Sequence, residues 1–437
     1  MDKIIGMRRE DKGLWEKRAP LIPEDVEKLT AQGYKIMVQP SEYRIFPEHQ
    51  YKKAGAQIVD DLSPADIILG IKEVKPELLL EDKVYLFFSH TIKGQSYNMP
   101  MLKKILSKKI TLIDYELISN TKGQRLIFFG HYAGLAGAID TLWGLGQRLA
   151  YLGMNSPLIE VKRAWEYDNL NQAKQHIHHI GNKIAEGGIS DNLKPLIIAF
   201  VGYGHVSEGA QEIISLLPEI RVKPEAILES PDSWSDHHFI TTVFHEYDLV
   251  ENINNPGEFD LQEYYDYPQK YRGVFDKYLD KLNVIINGSY WDERYPRLVT
   301  REQVIRLYQQ PEPKLQVIGD ISCDIEGGIE INTKVTSADN PVYVFDTQLQ
   351  KTVDGVKGHG PVVLANDILP SELPVESSGA FSHVLVNLIP DLVKVDYQKK
   401  LEELSLSDQL KKAVIAHQGL LTSPYDHLRE YLPEENV

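Results

Sequence analysis

Short apolar runs separated by charge recur along the first third of the chain: KIIGM (Lys3–Met7), YKIMV (Tyr34–Val38), DIILGI (Asp66–Ile71), VYLFF (Val84–Phe88) and ITLID (Ile110–Asp114). Each has the length of a buried strand, and each runs out into polar residues. Between the first two lies IPEDVEKLTAQGY, whose apolar residues fall at helical spacing, with Gly33 placed to cap the C-terminus. Strands alternating with helices predict a parallel α/β sheet.

The middle of the chain restarts the pattern. HYAGLAGAIDTLWGLGQRLAYLG (His131–Gly153) is a long helix whose Ala and Gly positions suit close packing and whose length suits a connector between two domains. Residues 167–195 are polar. PLIIAFV then reads as a strand, followed by a glycine turn and the helix AQEIISLL. KLNVIINGSYW and KLQVIGDISCD are later strand-then-polar units. PVVLANDILPSELPVESSGAFSHVLVNLIPDLV gives a strand, a proline-bounded turn and a helix from about Ser377. The Tyr- and Asp-rich stretch 230–275 has weak periodicity and reads as an insertion or long surface segment.

At 437 residues the chain is long for one core, so two domains are expected. A formal net charge of −16 argues against nucleic acid or an anionic membrane as partner, but not against small anions held in a local cationic pocket. Cys323 is the single cysteine, which removes intrachain disulfides and cysteine metal sites. The histidines of HIHHIG (His176, His178, His179) and DHHF (His237, His238) lack matched acids at metal-ligand spacing, so no metal is expected. No signal-peptide pattern and no membrane-length apolar run is present, and the expected compartment is the cytosol.

Gly202-Tyr203-Gly204-His205-Val206-Ser207 sits between an apolar strand and a helix, the setting in which a G-x-G turn cradles a pyrophosphate. Gly202 permits the turn, Gly204 lets a phosphate approach the backbone, and the helix start offers free N–H groups. Ser207 stands where the third glycine is usual. No ribose-binding acid is obvious about 20 residues on. EIRVKPEAIL offers Arg221 and Lys223 instead, which suits a 2′-phosphate and favours NADP(H) over NAD(H); two solvated surface cations are the plain alternative.

VYLFFSHTIKGQ poses a sharper question, because a buried strand ends in Ser89, His90, Thr91 and Lys93. Either the strand runs out into solvent, or it delivers His90 to a ligand, as strand ends in α/β folds do.

Taken together, RREDKGLWEKRAPLIPEDV, LGIKEV, FFSHTIKGQ, LIDYE, GLAGAIDTLWGLGQRL, VGYGHVSEGAQ, INGSYWDERYPRLVTRE, GDISCDIEGGIE and ILPSELPVESS cover almost the whole chain in one family's order. The chain resembles the lysine–2-oxoglutarate reductase (saccharopine-forming) half of the bifunctional aminoadipic semialdehyde synthases. More distantly it resembles the lysine-forming saccharopine dehydrogenases, within the alanine dehydrogenase and transhydrogenase group. The resemblance implies two Rossmann-like α/β domains with parallel sheets and an interdomain cleft. Residues 1–135 with 377–437 would form the substrate domain and 136–376 the dinucleotide domain. There is no room for the glutamate-forming second half, so a separate glutamate-forming saccharopine dehydrogenase is the expected functional link.

The implied reaction condenses the ε-amine of lysine with 2-oxoglutarate and reduces the imine to saccharopine. Deprotonating that amine near neutral pH costs on the order of 4–5 kcal/mol, so a proton acceptor is required, and loss of water needs a donor. Lys72 and His90 match the family's acid–base pair. Lys72 can serve only if burial or neighbouring cations lower its pKa. Glu73 and Glu116 match acids that tune the pair, Arg18 and Arg125 match carboxylate binders, and Glu16 matches a holder of the substrate's amino end. Asn287 and Asp320 are placed near the nicotinamide. Another amino-acid or opine dehydrogenase of the group, or a non-catalytic ligand-binding relative, remain the alternatives.

Overall fold

The structure is a computed structural model that describes residues 3–190, 193, 195–229 and 234–433. The apolar runs form β1 (Ile4–Met7), β2 (Lys35–Val38), β4 (Ile67–Leu69), β5 (Val84–Phe87) and β6 (Thr111–Asp114), with a short β3 (Gln57–Ile58) added. These six pair in parallel in the order β3-β2-β1-β4-β5-β6. The order reverses between β1 and β4. In open parallel sheets, ligands bind at the carboxyl ends of strands beside such a reversal.

A second sheet uses β7 (Leu196–Val201), β8 (Glu219–Arg221), β9 (Phe239–Phe244), β12 (Val284–Asn287), β13 (Val317–Asp320), β14 (Val342–Asp346), β15 (Lys351–Asp354) and β16 (Val362–Leu364). β10 (Val250–Asn252) and β11 (Tyr271–Gly273) form a separate antiparallel ribbon. The second sheet runs β15-β14-β16-β13-β12-β7-β9-β8, parallel except at β14 and β15. β17 (Val414–His417) and β18 (Leu420–Leu421) return to the first sheet and extend it antiparallel beyond β6.

Two compact units divide the chain: Met1–Phe129 with Pro374–Val437, and Gly130–Leu373. The divisions fall where helices begin. Helix Pro374–Lys394 starts the return to the first unit, three residues before the expected Ser377. Helix Gly130–Tyr151 lies wholly in the second unit and is not a connector. Its small residues explain why. A Cβ on Gly134 would meet the Val206 carbonyl oxygen at 1.9 Å, and one on Gly209 would meet the His131 carbonyl oxygen at 2.1 Å. This helix and helix His205–Ile214 therefore touch backbone to backbone, and Gly209 supplies the close packing expected of a third glycine.

Two readings of the middle segment change. The polar stretch contains helix Leu170–Gly187, with Asn169 capping it by accepting from the Gln172 amide. Ala173, Ile177, Ile180 and Ile184 form its buried stripe. The Tyr-rich insertion is folded: β10, β11 and helix Leu261–Asp266 enclose a small core of Val250, Tyr264 and Tyr271. Residues 230–233 of that stretch lie outside the described residues. Among the described residues, no helix is long and apolar enough to cross a membrane.

Candidate active site and nucleotide turn

In the first unit the candidate residues follow the strands that flank the reversal. Glu16 and Arg18 follow β1, Lys72 and Glu73 follow β4, His90 follows β5 and Glu116 follows β6. Glu10 fixes one corner: its two carboxylate oxygens accept from the Ile71 and Lys72 amides at 2.8 and 3.0 Å. His90 has φ +48°, a left-handed conformation uncommon outside glycine, and Asn98 holds it by donating to the His90 carbonyl at 3.1 Å. The imidazole stacks on Phe88, and its Nδ1 lies 2.6 Å from Glu73 Oε1. Glu73 Oε2 accepts from Lys12 Nζ at 3.1 Å.

Arg18 is buried. Its Nε and Nη2 bind Glu16 at 2.7 and 2.5 Å, and its guanidinium lies 4.3 Å above the Phe129 ring. Phe129 in turn stacks on Phe381. Among the described residues, Arg18 Nη1 and Lys72 Nζ make no hydrogen bond. The Lys72 ammonium is held below the ordinary lysine range, first by burial and then by the charges of Arg18 and Lys12, against the opposing pull of Glu16 and Glu73. For Glu73, burial favours the neutral acid, yet the hydrogen bond and charge of His90, with Lys12, outweigh it and hold the carboxyl at about 2. Glu16 is likewise lowered against its burial, by Arg18. The cluster thus combines a lysine poised to lose its proton with a histidine oriented by an ionised carboxylate.

Arg125 and Glu116 form their own ion pair, with half of the Arg125 side chain exposed. Behind them, Asp114 is fully buried and accepts from Ser89 and from the Glu116 amide; burial raises it to about 6. Lys12, Glu10 and Asp114 escaped the sequence reading. Glu10 and Lys12 stand in the charged exit from β1, where nothing in the spacing separates them from solvated neighbours.

In the second unit, Gly202 ends β7 with φ +89°, and Gly204 is the N-cap of helix His205–Ile214. A Cβ on Gly204 would meet nothing within 4 Å, so open space lies where a phosphate would approach. The glycine turn, Glu246 and the Gly288–Ser289 backbone line a cavity of about 350 Å³. His205 pairs with Glu208 at 2.9 Å, and the Val206 side chain packs towards Gly288. Ser207 is buried, with its hydroxyl accepting from Gln211. Asn287 and Asp320 are register partners at the ends of β12 and β13, joined by a 2.9 Å hydrogen bond. Burial raises the Asp320 carboxyl, which also accepts from Ser322 and Asn332. These residues fit a dinucleotide.

Arg221 is not where the sequence suggested. The strand beside β7 is β9, and β8 lies beyond it at the sheet edge. Arg221 is in register with Thr241, three residues before β9 ends at Phe244. It therefore sits roughly 10 Å back along the strand and two strand spacings, roughly 10 Å, to the side of the glycine turn. Its guanidinium reaches Glu219. The ribose position at the end of β9 carries Glu246.

Two family descriptions match the chain: the alanine dehydrogenase/PNT N-terminal domain over residues 6–136 and the alanine dehydrogenase/PNT C-terminal domain over residues 232–424. The chain belongs to the alanine dehydrogenase/PNT family. Within this family it is 38% identical to the alpha-aminoadipic semialdehyde synthase of Arabidopsis thaliana, over 99% of this chain and 42% of that protein. It is 27% identical to the NAD(+), L-lysine-forming saccharopine dehydrogenase of Neurospora crassa, over 90% of this chain and 91% of that one. The chain spans about half the length of the curated synthases it matches. An L-alanine dehydrogenase structure covers 98% of this chain and all of its own at a TM-score of 0.61 and 16% identity, a likeness of fold.

Proposed function

We propose that this alanine dehydrogenase/PNT family member condenses L-lysine with 2-oxoglutarate and reduces the imine to saccharopine with a pyridine nucleotide, reversibly. The observation that carries this reading is the Lys72 cluster. A buried lysine depressed by burial and by Arg18 and Lys12 stands among residues that include a His90–Glu73 pair. Identity at the level of 38% to a semialdehyde synthase along the chain supports the choice of substrates.

In this reading, neutral Lys72 accepts the proton that the substrate ammonium must lose before its nitrogen attacks the keto carbon. His90, held by Glu73, donates a proton to the departing hydroxyl as water leaves. Arg18 meets a substrate carboxylate through Nη1, its other donors being committed to Glu16, and Arg125 offers the donors that Glu116 leaves unused. Glu16 and Glu116 set the charge of these arginines. In the second unit, Gly202, Gly204 and the amides opening helix His205–Ile214 hold the pyrophosphate, while Asn287 and Asp320 border the nicotinamide. The reduced nicotinamide, when bound, supplies hydride to the imine carbon.

The test is oxidation of NADH or NADPH by lysine plus 2-oxoglutarate, with pyruvate plus ammonia as the contrast and saccharopine identified by mass. Turnover with pyruvate and ammonia alone would reassign the enzyme to alanine chemistry. Nucleotide binding without turnover of either pair would leave a ligand-binding relative.

A further inference from the structure

Glu246 is the first acidic side chain after β9, the strand next to the glycine turn. It lines the same cavity as Gly202 and Gly204. Its Oε1 accepts from the Tyr265 hydroxyl at 3.0 Å and the Tyr203 hydroxyl at 3.4 Å. Among the described residues, Oε2 has no hydrogen-bond partner. Tyr203 comes from the glycine turn itself, and Tyr265 from the folded insertion between β10 and β11. The carboxylate is therefore held from two sides with one oxygen left to accept. The other charged residue lining the cavity is Arg297, whose guanidinium is engaged by the Glu330 carboxylate and the Glu326 carbonyl, both at 2.9 Å.

We propose that Glu246 receives the adenosine ribose hydroxyls and makes this enzyme select NAD(H) over NADP(H). The proposal rests on the nucleotide reading of the glycine turn given above. A carboxylate accepts from a 2′-hydroxyl, whereas a 2′-phosphate in the same place brings like charges together with no free cation beside them. This reverses the preference for NADP(H) expected from Arg221 and Lys223. The insertion acquires a role as well, because its Tyr265 positions the selecting side chain.

The experiment titrates full-length protein with NADH and with NADPH by nicotinamide fluorescence, and measures kcat/KM with each, for wild type, E246Q and E246S. Wild type should bind NADH roughly ten- to a hundred-fold more tightly than NADPH, the scale of hydrogen bonds to a charged group. E246Q and E246S should weaken NADH, strengthen NADPH and bring the two within about threefold. A structural role for Glu246 would weaken both nucleotides alike and leave their ratio unmoved, which would overturn the proposal. Equal or tighter NADPH binding by wild type would also overturn it while leaving the dehydrogenase reading intact. Failure of wild type to bind either nucleotide would remove the glycine-turn reading and this proposal together.

Discussion

Glu73→Gln isolates the charge in the His90 pair. The amide is isosteric, and its oxygen can still accept from Nδ1–H at the 2.6 Å position, so the ring keeps its orientation while the charge goes. Lowering a carboxyl from its ordinary 4.5 to about 2 is worth roughly 3 kcal/mol of preference for the charged form in the folded state. Its partners are partly open to water, His90 at 32% and Lys12 at 42% side-chain exposure, so solvent screening reduces the stability carried to roughly 1–2 kcal/mol. The folded-state value is depressed, so this stability is present above the ordinary value and is lost as pH falls through it towards 2. Urea unfolding of wild type and variant should differ by that amount at pH 7 and converge towards acid. In steady-state kinetics kcat should fall about 10- to 100-fold, because the imidazolium formed during proton transfer loses its counter-charge, while the substrate KM changes little. A stability gap independent of pH, or an unchanged kcat, would refute the assignment of Glu73 as the charge that holds His90.

Gly204→Val should fold with a loss of about 1 kcal/mol, since it removes only a favourable N-cap residue, yet should abolish detectable nucleotide binding by titration. Gly202→Ala would strain a φ of +89° and is the poorer probe. His90→Asn should lower kcat by roughly 10²–10⁴-fold, and combining it with Glu73→Gln should add little, because the two act as a unit; Asn also tolerates the left-handed backbone better than Gln. Lys72→Met should lower kcat with nucleotide affinity unchanged by fluorescence. In the second unit, burial and the Asp140 charge hold Glu372 protonated well above the ordinary carboxyl range, with Asn366 donating to it. Its folded-state value is raised, so stability falls as pH rises from the ordinary value upward. Glu372→Gln should flatten that decline in urea midpoints measured across neutral pH.

The site was legible in sequence wherever a strand end carried it. Lys72 and His90 stand just past apolar runs, and the parallel pairing of β4 and β5 brings those ends together. The second unit was harder to read. β8 is short and exposed, and it precedes β9 in sequence while lying outside it in space, so counting strands put Arg221 where Glu246 stands. Helix Leu170–Gly187 was hidden by its His, Gln, Lys and Asn residues, although its isoleucine spacing was there to find. The left-handed backbone of His90 and the clamp of Glu10 on the Ile71 and Lys72 amides depend on tertiary context that no local pattern encodes. Gly134 and Gly209, by contrast, were visible as glycines, but their shared contact needed both helices placed.

The first unit is assembled from both flanks of the second. The Ala19 amide donates to Ser378 Oγ at 2.9 Å, the Ser382 hydroxyl donates to fully buried Asp25 at 2.6 Å, and the Asp114 amide donates to the Ala413 carbonyl at 2.9 Å. A ribosome adding 5–20 residues per second would need roughly 12–50 s to pass from Gly130 to Pro374. Throughout that interval the nascent first sheet would have an open edge at β6 and an unanswered carboxylate at Asp25. The second unit, contiguous in sequence, can complete its own sheet in that time. Vectorial synthesis therefore orders the folding: the Rossmann unit with the glycine turn closes first, and the half-sheet bearing Lys72 and His90 waits as a client for chaperones until its last helix emerges.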